Sequence, residues 1–252
     1  MSFIGREIGH FFVGIMFLTR LPVPEGLRQV EGRLARSARY FPLVGVLIGV
    51  IAGCVFAVAA QVLPTFGAAG LAIVTGLLLT GALHEDGLAD CADGLGAGGT
   101  PERMLEIMRD SRIGTYGAAA PIVSIGLRCI ALSEMSAIEG LKAMVIAHAL
   151  SRAMLPPVLV SGQYARTRGL ASSVAGGVSN REAGFSTLLA FAIAMIAGPE
   201  AGFAAIAAAV LGGGIILAVL MRKLGGYTGD GLGAVQQIAE IAVLLTLAGF
   251  WS

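Results

Sequence analysis

Long apolar runs, separated by short segments rich in charge, glycine and proline, dominate the chain. Seven of these runs approach the ~20 residues that a helix needs to cross a bilayer. They cover residues 41–62, 67–83, 115–135, 142–161, 185–199, 202–221 and 234–251. The pattern predicts an all-α, polytopic transmembrane helix bundle with about seven spanning helices. The fifth run is short, and a re-entrant segment is the alternative there.

The N-terminal residues differ from these runs. Residues 3–18 are apolar but contain Arg6, Glu7 and His10. This mixture is typical of an amphipathic helix that lies in the membrane interface, and a spanning helix is the alternative. We therefore expect a single integral membrane domain over residues 1–252, in which residues 1–39 form a cytoplasmic or interfacial N-terminal region.

Composition agrees with a membrane protein. The 252 residues are 56% hydrophobic and 13% charged, whereas soluble domains have about 25% charged residues. The 37 glycines allow membrane helices to approach one another closely. A net charge of +1, without a basic stripe and interleaved aromatic residues, gives no indication of a nucleic-acid partner. The lipid bilayer is the expected environment.

The cationic residues are distributed asymmetrically. Fourteen of the 17 Lys and Arg residues lie in the N-terminal region or in loops 84–114, 162–184 and 222–233, and the opposite loops hold none. Because Lys and Arg accumulate in cytoplasmic loops, we expect the N-terminus and these loops to face the cytoplasm. The C-terminus then lies outside.

An acidic motif, GALHEDGLADCADG, occupies residues 81–94 at the end of an apolar run. On a helix, Asp86, Asp90 and Asp93 fall within about 60° of one another. Carboxylates this close repel unless a cation lies among them, and oxygen ligands suit Mg²⁺ or Mn²⁺. The motif predicts a metal-dependent membrane enzyme that acts on a phosphorylated substrate. His84 either orients a ligand carboxylate or is a satisfied interface residue.

A short helix is predicted over residues 101–110. Thr100 has the character of an N-cap, and Pro101 suits the first helical position. Arg109, Asp110 and Arg112 then lie near the helix end. Guanidinium groups match phosphate oxygens, so these residues form a phosphate clamp or else balance the acidic motif.

Ionisable residues also occur in the second half of the chain. Asp230 lies in another glycine-rich stretch, where it is a substrate-site residue, a solvated loop carboxylate or a helix N-cap. Glu240 lies one turn inside an apolar helix, where an ionisable residue indicates function by default; an ion pair with Arg152 is an equal alternative. His148 is one turn from Arg152 and either lines a cavity or pairs with Glu134 or Glu240.

Together these motifs resemble those of the cobalamin synthases, also called adenosylcobinamide-GDP ribazoletransferases, of prokaryotic inner membranes. The resemblance spans nearly the whole chain. It rests on FLTRLPVP at 17–24, YFPLVGVLIG at 40–49, GALHEDGLADCADG at 81–94, EIMRDSRIGTYG at 106–117 and GGYTGDGLGA at 225–234.

The resemblance implies the last step of nucleotide-loop assembly in vitamin B12 synthesis. An α-ribazole, or its 5′-phosphate, attacks the corrinoid-linked phosphate of adenosylcobinamide-GDP, and GMP leaves. Mg²⁺ is the expected cofactor. The implied metal ligands are Asp86 and Asp90, with Asp93 as third ligand or general base and Glu85 as a further ligand. The implied substrate-site residues are His84, Arg109, Asp110, Arg112 and Asp230. Both a monomer and a homo-oligomer remain open.

Two other functions use similar residues. A CDP-alcohol phosphotransferase-like lipid enzyme shares spaced aspartates on a membrane helix, but its motif extends over a longer span than the compact one here. An ion-coupled transporter would place its ionisable residues near mid-membrane at broken helices, whereas the acidic motif is expected at one face. Release of GMP from adenosylcobinamide-GDP separates the enzyme from both.

Overall fold

The computed structural model describes residues 3–27, 33–165 and 177–251, which form a bundle of α-helices. The helices are α1 (Phe3–Leu18), α2 (Arg33–Ser37), α3 (Phe41–Ala59), α4 (Thr65–Thr80), α5 (Leu83–Ala97), α6 (Pro101–Ile107), α7 (Thr115–Ser133), α8 (Ala137–Ala153), α9 (Leu155–Ser161), α10 (Asn180–Ala194), α11 (Pro199–Leu224) and α12 (Gly229–Trp251). The prediction of an all-α membrane bundle is confirmed. Parts of the cationic N-terminal region and of loop 162–184 lie outside the described residues.

Within the described residues, five stretches of helix are long and apolar enough to cross a membrane. They are Leu34–Ala59, Thr115–Ser133, Ala137–Ser161, Pro199–Leu224 and Gly229–Trp251. The bent pair α4–α5 would make a sixth. The predicted count of seven is not confirmed, because α10 has only 15 residues and is about 22 Å long at 1.5 Å per residue.

Glycines bring α3 and α8 into close contact. Gly45, Gly49 and Gly53 recur every fourth residue and face the backbone of α8. A Cβ atom at Gly45 would overlap the carbonyl of His148, and one at Gly49 would overlap the backbone of Met144. Small residues at this spacing allow membrane helices to pack backbone against backbone. The predicted role of glycine is confirmed for this helix pair.

The chain bends sharply between α4 and α5, whose axes differ by 91°. Gly81 and Ala82 have φ angles of 66° and 55°, in the left-handed region that a residue with a Cβ rarely adopts. The side chain of Arg20 lies against Gly81. The backbone N–H of Arg20 donates to the carbonyl of Leu79 at 2.7 Å. The run at 67–83 therefore corresponds to α4 up to Thr80, and the bend, which the hydrophobic pattern did not predict, falls at the end of the run.

Two glycines let α5 pack closely against the start of α12. A Cβ at Gly87 would crowd the backbone of Asp230, and one at Gly233 would crowd the backbone of His84. The residue numbers run in opposite directions along this contact, so the two helices are antiparallel. The two glycine-rich, acid-bearing segments, far apart in the sequence, are neighbours in the fold.

Candidate functional site

The acidic motif lies on α5, where the two principal predicted metal ligands remain accessible. Asp86 is exposed and Asp90 is half-buried. They are one helical turn apart and therefore share a face of α5. The structure brings them together on one accessible surface, and their binding of metal stays a prediction.

Asp93 ties α5 to the beginning of α7. Its two carboxylate oxygens accept hydrogen bonds from the backbone N–H of Gly114 at 2.6 Å and of Gly117 at 2.7 Å. A Cβ atom at either glycine would overlap this carboxylate. An acidic group at a helix N-terminus satisfies open N–H groups and complements the helix dipole. The predicted role of Asp93 as third ligand or base is not tested by this contact.

No three Asp, Glu, His or Cys side chains converge to hold a metal ion in the part of the chain that the structure describes. Mg²⁺ is commonly bound by one or two carboxylates, with water and substrate phosphate completing its coordination. Asp86 and Asp90 fit that smaller donor set. A site of this kind would be completed by the substrate.

Glu85 points into the bundle and forms an ion pair there. Its Oε1 lies 3.1 Å from a guanidinium nitrogen of Arg128 on α7, and Gln237 of α12 donates to the same oxygen at 3.0 Å. Arg128 also donates to Glu240 at 2.9 Å. Glu85 is a predicted further metal ligand, but its described partners are these buried groups of α7 and α12.

Glu240 is the centre of this buried network. His148 Nδ1 lies 2.9 Å from its second oxygen, and Gln236 donates to that oxygen at 2.6 Å. Arg152 lies 3.5 Å from it. Of the alternatives left open by the sequence, the structure shows the pairing of Glu240 with Arg152 and His148. The part played by Arg128 was missed, although an arginine in the middle of an apolar run is itself a signal of a polar partner.

His84 is buried beside this network at the start of α5, with 4% of its surface exposed. Within the described residues its Nε2 atom has no hydrogen-bond partner. Its backbone packs against Gly233. The structure thus places His84 at the junction of α5 and α12, and a contact between its ring and substrate stays a prediction.

The predicted cationic clamp lies after α6. Thr100 accepts a hydrogen bond from the Arg103 backbone N–H, so the predicted N-cap is confirmed, although the helix ends at Ile107 and not at 110. Arg112 Nε lies 3.0 Å from an Asp110 oxygen. The guanidinium of Arg112 hydrogen-bonds to Asp110 and lowers the pKa of that carboxyl to about 2.

Arg109 is exposed in the same segment. Among the described residues no side chain forms an ion pair or hydrogen bond with its guanidinium. Of the two predicted clamp residues, Arg109 is therefore the one whose donors are available without breaking an existing pair. Arg112 is also accessible, with 88% of its side chain exposed, but it would have to leave Asp110.

An apolar groove of about 360 Å³ lies on another face of α5. Leu88 and Ala92 line it together with residues of α7 and α12. Leu88 lies two positions from both Asp86 and Asp90, about 200° around the helix. The groove therefore does not open onto the acidic face.

Comparison with known proteins identifies the family. Residues 10–248 match the model of the family described as cobalamin-5-phosphate synthase. Among curated relatives, the chain is 42% identical to an adenosylcobinamide-GDP ribazoletransferase of Ralstonia nicotianae and 39% identical to one of Leptothrix cholodnii. Each alignment covers 100% of this chain and 99% of the relative. No solved structure matches the chain.

These matches extend over the whole bundle, from α1 to α12, and include every motif that carries the resemblance. They confirm the predicted relationship and the expectation that the chain is a transferase. The chain belongs to the cobalamin-5-phosphate synthase family.

Proposed function

We propose that the chain catalyses the reaction for which its relatives are named. It would join α-ribazole, or α-ribazole 5′-phosphate, to adenosylcobinamide-GDP and release GMP. The product would be adenosylcobalamin or its 5′-phosphate. The support is the match to ribazoletransferases over the full length of both chains, together with the acidic helix that this reaction would need.

The observation that carries the proposal is that neighbouring carboxylates on α5 lie in different environments. Glu85 is neutralised by Arg128 inside the bundle, whereas Asp86 remains exposed one residue later. Asp86 and Asp90 would hold Mg²⁺ with the diphosphate of the substrate. When bound, Mg²⁺ would neutralise charge that develops on the phosphate oxygens as the bond to GMP breaks.

Asp93 would act as a positioning residue in this arrangement. Both of its oxygens already accept amide hydrogens from α7. Each oxygen keeps a further lone pair, so these bonds leave Asp93 able to serve as a ligand or base, and they hold its carboxylate in one orientation. We therefore infer that Asp93 fixes the acidic face of α5 relative to α7.

Arg109 would contact the diphosphate of adenosylcobinamide-GDP from the segment after α6. A guanidinium group can bind phosphate oxygens through two parallel hydrogen bonds. Asp230 would border the site from α12, since its backbone packs against Gly87 of α5. The asymmetry of Lys and Arg residues favours a cytoplasmic site in the inner membrane, with the N-terminus on the same side.

The test is a reconstitution. Purified protein in detergent would receive adenosylcobinamide-GDP, α-ribazole and MgCl₂, and the release of GMP would be followed by chromatography. We expect equimolar GMP and corrinoid product, with α-ribazole 5′-phosphate tested in a parallel reaction. Chelation by EDTA should stop turnover, and added Mg²⁺ should restore it. Turnover that persists in EDTA would exclude the metal, and an absence of GMP would exclude the activity.

The two rival functions are distinguished by the same preparation. A lipid phosphotransferase would release CMP from a CDP-alcohol, and a transporter would release no nucleotide. The broken helix α4–α5 is a feature that transporters also use. The named relatives nevertheless favour the transferase, because they match over the complete bundle.

A further inference from the structure

A second polar pocket lies away from the acidic helix, between α1, α2 and the beginning of α10. Its volume is about 470 Å³. Four arginines line it, namely Arg6, Arg36, Arg39 and Arg181. We call it the arginine pocket. None of its lining residues belongs to α5, α7 or α12, so it is separate from the candidate active site.

The two acidic residues of the pocket already have partners. Glu7 accepts a hydrogen bond from Tyr40 at 2.5 Å and lies 3.4 Å from the guanidinium of Arg39. Glu182 forms a capping box with Ser179 at the start of α10. Neither carboxylate forms an ion pair with the other arginines of the pocket.

Three of the four guanidinium groups belong to exposed residues and have no such partner among the described residues. In the part of the chain that the structure describes, the side chains of Arg6, Arg36 and Arg181 make no hydrogen bond or ion pair. Three unpaired cations around one cavity repel one another, and an anion between them would relieve that repulsion. A phosphate group offers enough oxygens for several of these donors.

His10 provides an independent indication of a ligand. It lines the pocket, only 1% of its surface is exposed, and within the described residues neither ring nitrogen has a hydrogen-bond partner. The nearest acidic oxygen, of Glu7, is 3.9 Å from Nδ1. Burial lowers the pKa of His10, so the ring is neutral at pH 7 and has one N–H to donate. A buried donor without a partner is costly.

One apolar side chain lines the pocket. Phe185 on α10 is 46% exposed. In a membrane protein such side chains contact acyl chains. A cationic cavity beside an acyl-contacting surface matches a phospholipid, whose phosphate and chains are joined in one molecule.

We propose that the arginine pocket binds the phosphate of an anionic phospholipid, with Arg6, Arg36, Arg181 and His10 as donors. A soluble phosphate ester would present the same phosphate group to these donors as the phospholipid does. The partly exposed Phe185 favours the lipid, because an acyl chain would cover its ring and a soluble ester would not.

The experiment compares lipids on the full-length protein. Native mass spectrometry would measure retention of phosphatidylglycerol and phosphatidylcholine by the wild type and by the double variant Arg36→Gln/Arg181→Gln. We expect the wild type to prefer phosphatidylglycerol. The variant should bind it at least about tenfold more weakly, since a cation near an anionic headgroup contributes about 1 kcal/mol. Binding of phosphatidylcholine should be unchanged.

The control removes two cations elsewhere. Arg222→Gln/Lys223→Gln acts on exposed residues at the end of α11 and should leave the lipid preference intact. Equal loss in both double variants would overturn the assignment to the pocket, as would an unchanged preference in Arg36→Gln/Arg181→Gln.

Two further measurements address folding and the source of the phosphate. Arg36→Lys/Arg181→Lys keeps both charges, so it should retain most of the preference and the melting temperature. Inorganic phosphate and α-ribazole 5′-phosphate would be added as competitors at millimolar concentration. The proposal would be overturned by two results together. These are the absence of a preference for phosphatidylglycerol over phosphatidylcholine without competitor, and displacement of phosphatidylglycerol by either competitor. The ligand of the pocket would then be a soluble phosphate.

Discussion

The guanidinium of Arg128 lies 3.1 Å from the carboxylate of Glu85, and both groups are buried inside the bundle. This ion pair joins α7 to the first turn of α5. Asp86 follows Glu85 directly in the sequence, so the orientation of the acidic face depends on a contact about 100° around the same helix. The pair thereby connects the buried network to the accessible carboxylates.

Removal of Arg128 should therefore destabilise the fold strongly. Arg128→Leu leaves Glu85 and part of Glu240 without a cation, and breaking a buried pair in this way typically costs about 3–5 kcal/mol. Thermal unfolding in detergent would measure the effect. Arg222→Leu, an exposed control, should change stability by less than about 0.5 kcal/mol. Arg128→Leu/Glu85→Gln should recover part of the loss; no recovery would argue against the pairing as its cause.

Removal of either accessible aspartate should abolish turnover with little effect on folding. Asp86→Asn and Asp90→Asn each remove a negative charge from the proposed Mg²⁺ site. We expect a loss of at least about 100-fold in the rate of GMP release, because a metal ligand stabilises the transition state by several kcal/mol. The matched control is Glu200→Gln, an exposed acid at the start of α11. Near-wild-type rates in either aspartate variant would remove that residue from the site.

The conservative substitution Arg109→Lys should weaken binding of adenosylcobinamide-GDP. Lysine keeps the charge but loses the paired donors of the guanidinium. The affinity for α-ribazole should change little, and the melting temperature should be preserved because Arg109 is exposed. Arg103→Lys, on α6, serves as the control, since Arg103 pairs with Glu106 at 2.7 Å. Equal affinities in both variants would argue that Arg109 does not contact the diphosphate.

Substitutions at two helical glycines should have opposite effects. Gly45→Ala would force α3 away from the backbone of His148, and overpacking of this kind costs about 1–3 kcal/mol. Gly70→Ala introduces the same methyl group on α4, where no atom lies within 4 Å. There the better helix propensity of alanine should stabilise by up to about 1 kcal/mol. Melting temperatures that fall equally would contradict the close packing of α3 and α8.

The proposed orientation can be tested with reporter fusions. A C-terminal alkaline phosphatase should be active, because that enzyme folds only outside the cytoplasm. A fusion within loop 162–184 should be inactive. The reverse pattern would place the candidate site on the wrong side of the membrane for a GDP-linked substrate.

The apolar runs predicted most helices, because burial in lipid or in the bundle requires long apolar segments. Helix-start signals were also reliable, because they depend on neighbouring residues. Thr100 and Pro101 correctly predicted the start of α6 in this way. The bend at Gly81 was not predictable in the same way. It depends on Arg20, a residue about sixty positions earlier whose backbone and side chain meet the end of α4.

The candidate site was predicted in its residues but not in their separate environments. Helical spacing placed Asp86, Asp90 and Asp93 on one face, and it could not indicate that Asp93 meets the amides of α7. Glu85 and Asp86 are adjacent in the sequence, yet one is buried and the other exposed. Only the positions of α7 and α12 decide which carboxylate is enclosed.

The interruption at Gly81 also sets the helical phase of α5 independently of α4. One added residue between Glu85 and Asp93 would turn the remainder of α5 by about 100° and advance it by about 1.5 Å. Glu85 would keep Arg128, while Asp93 would lose the amides of Gly114 and Gly117. The segment from 85 to 93 is therefore of fixed length.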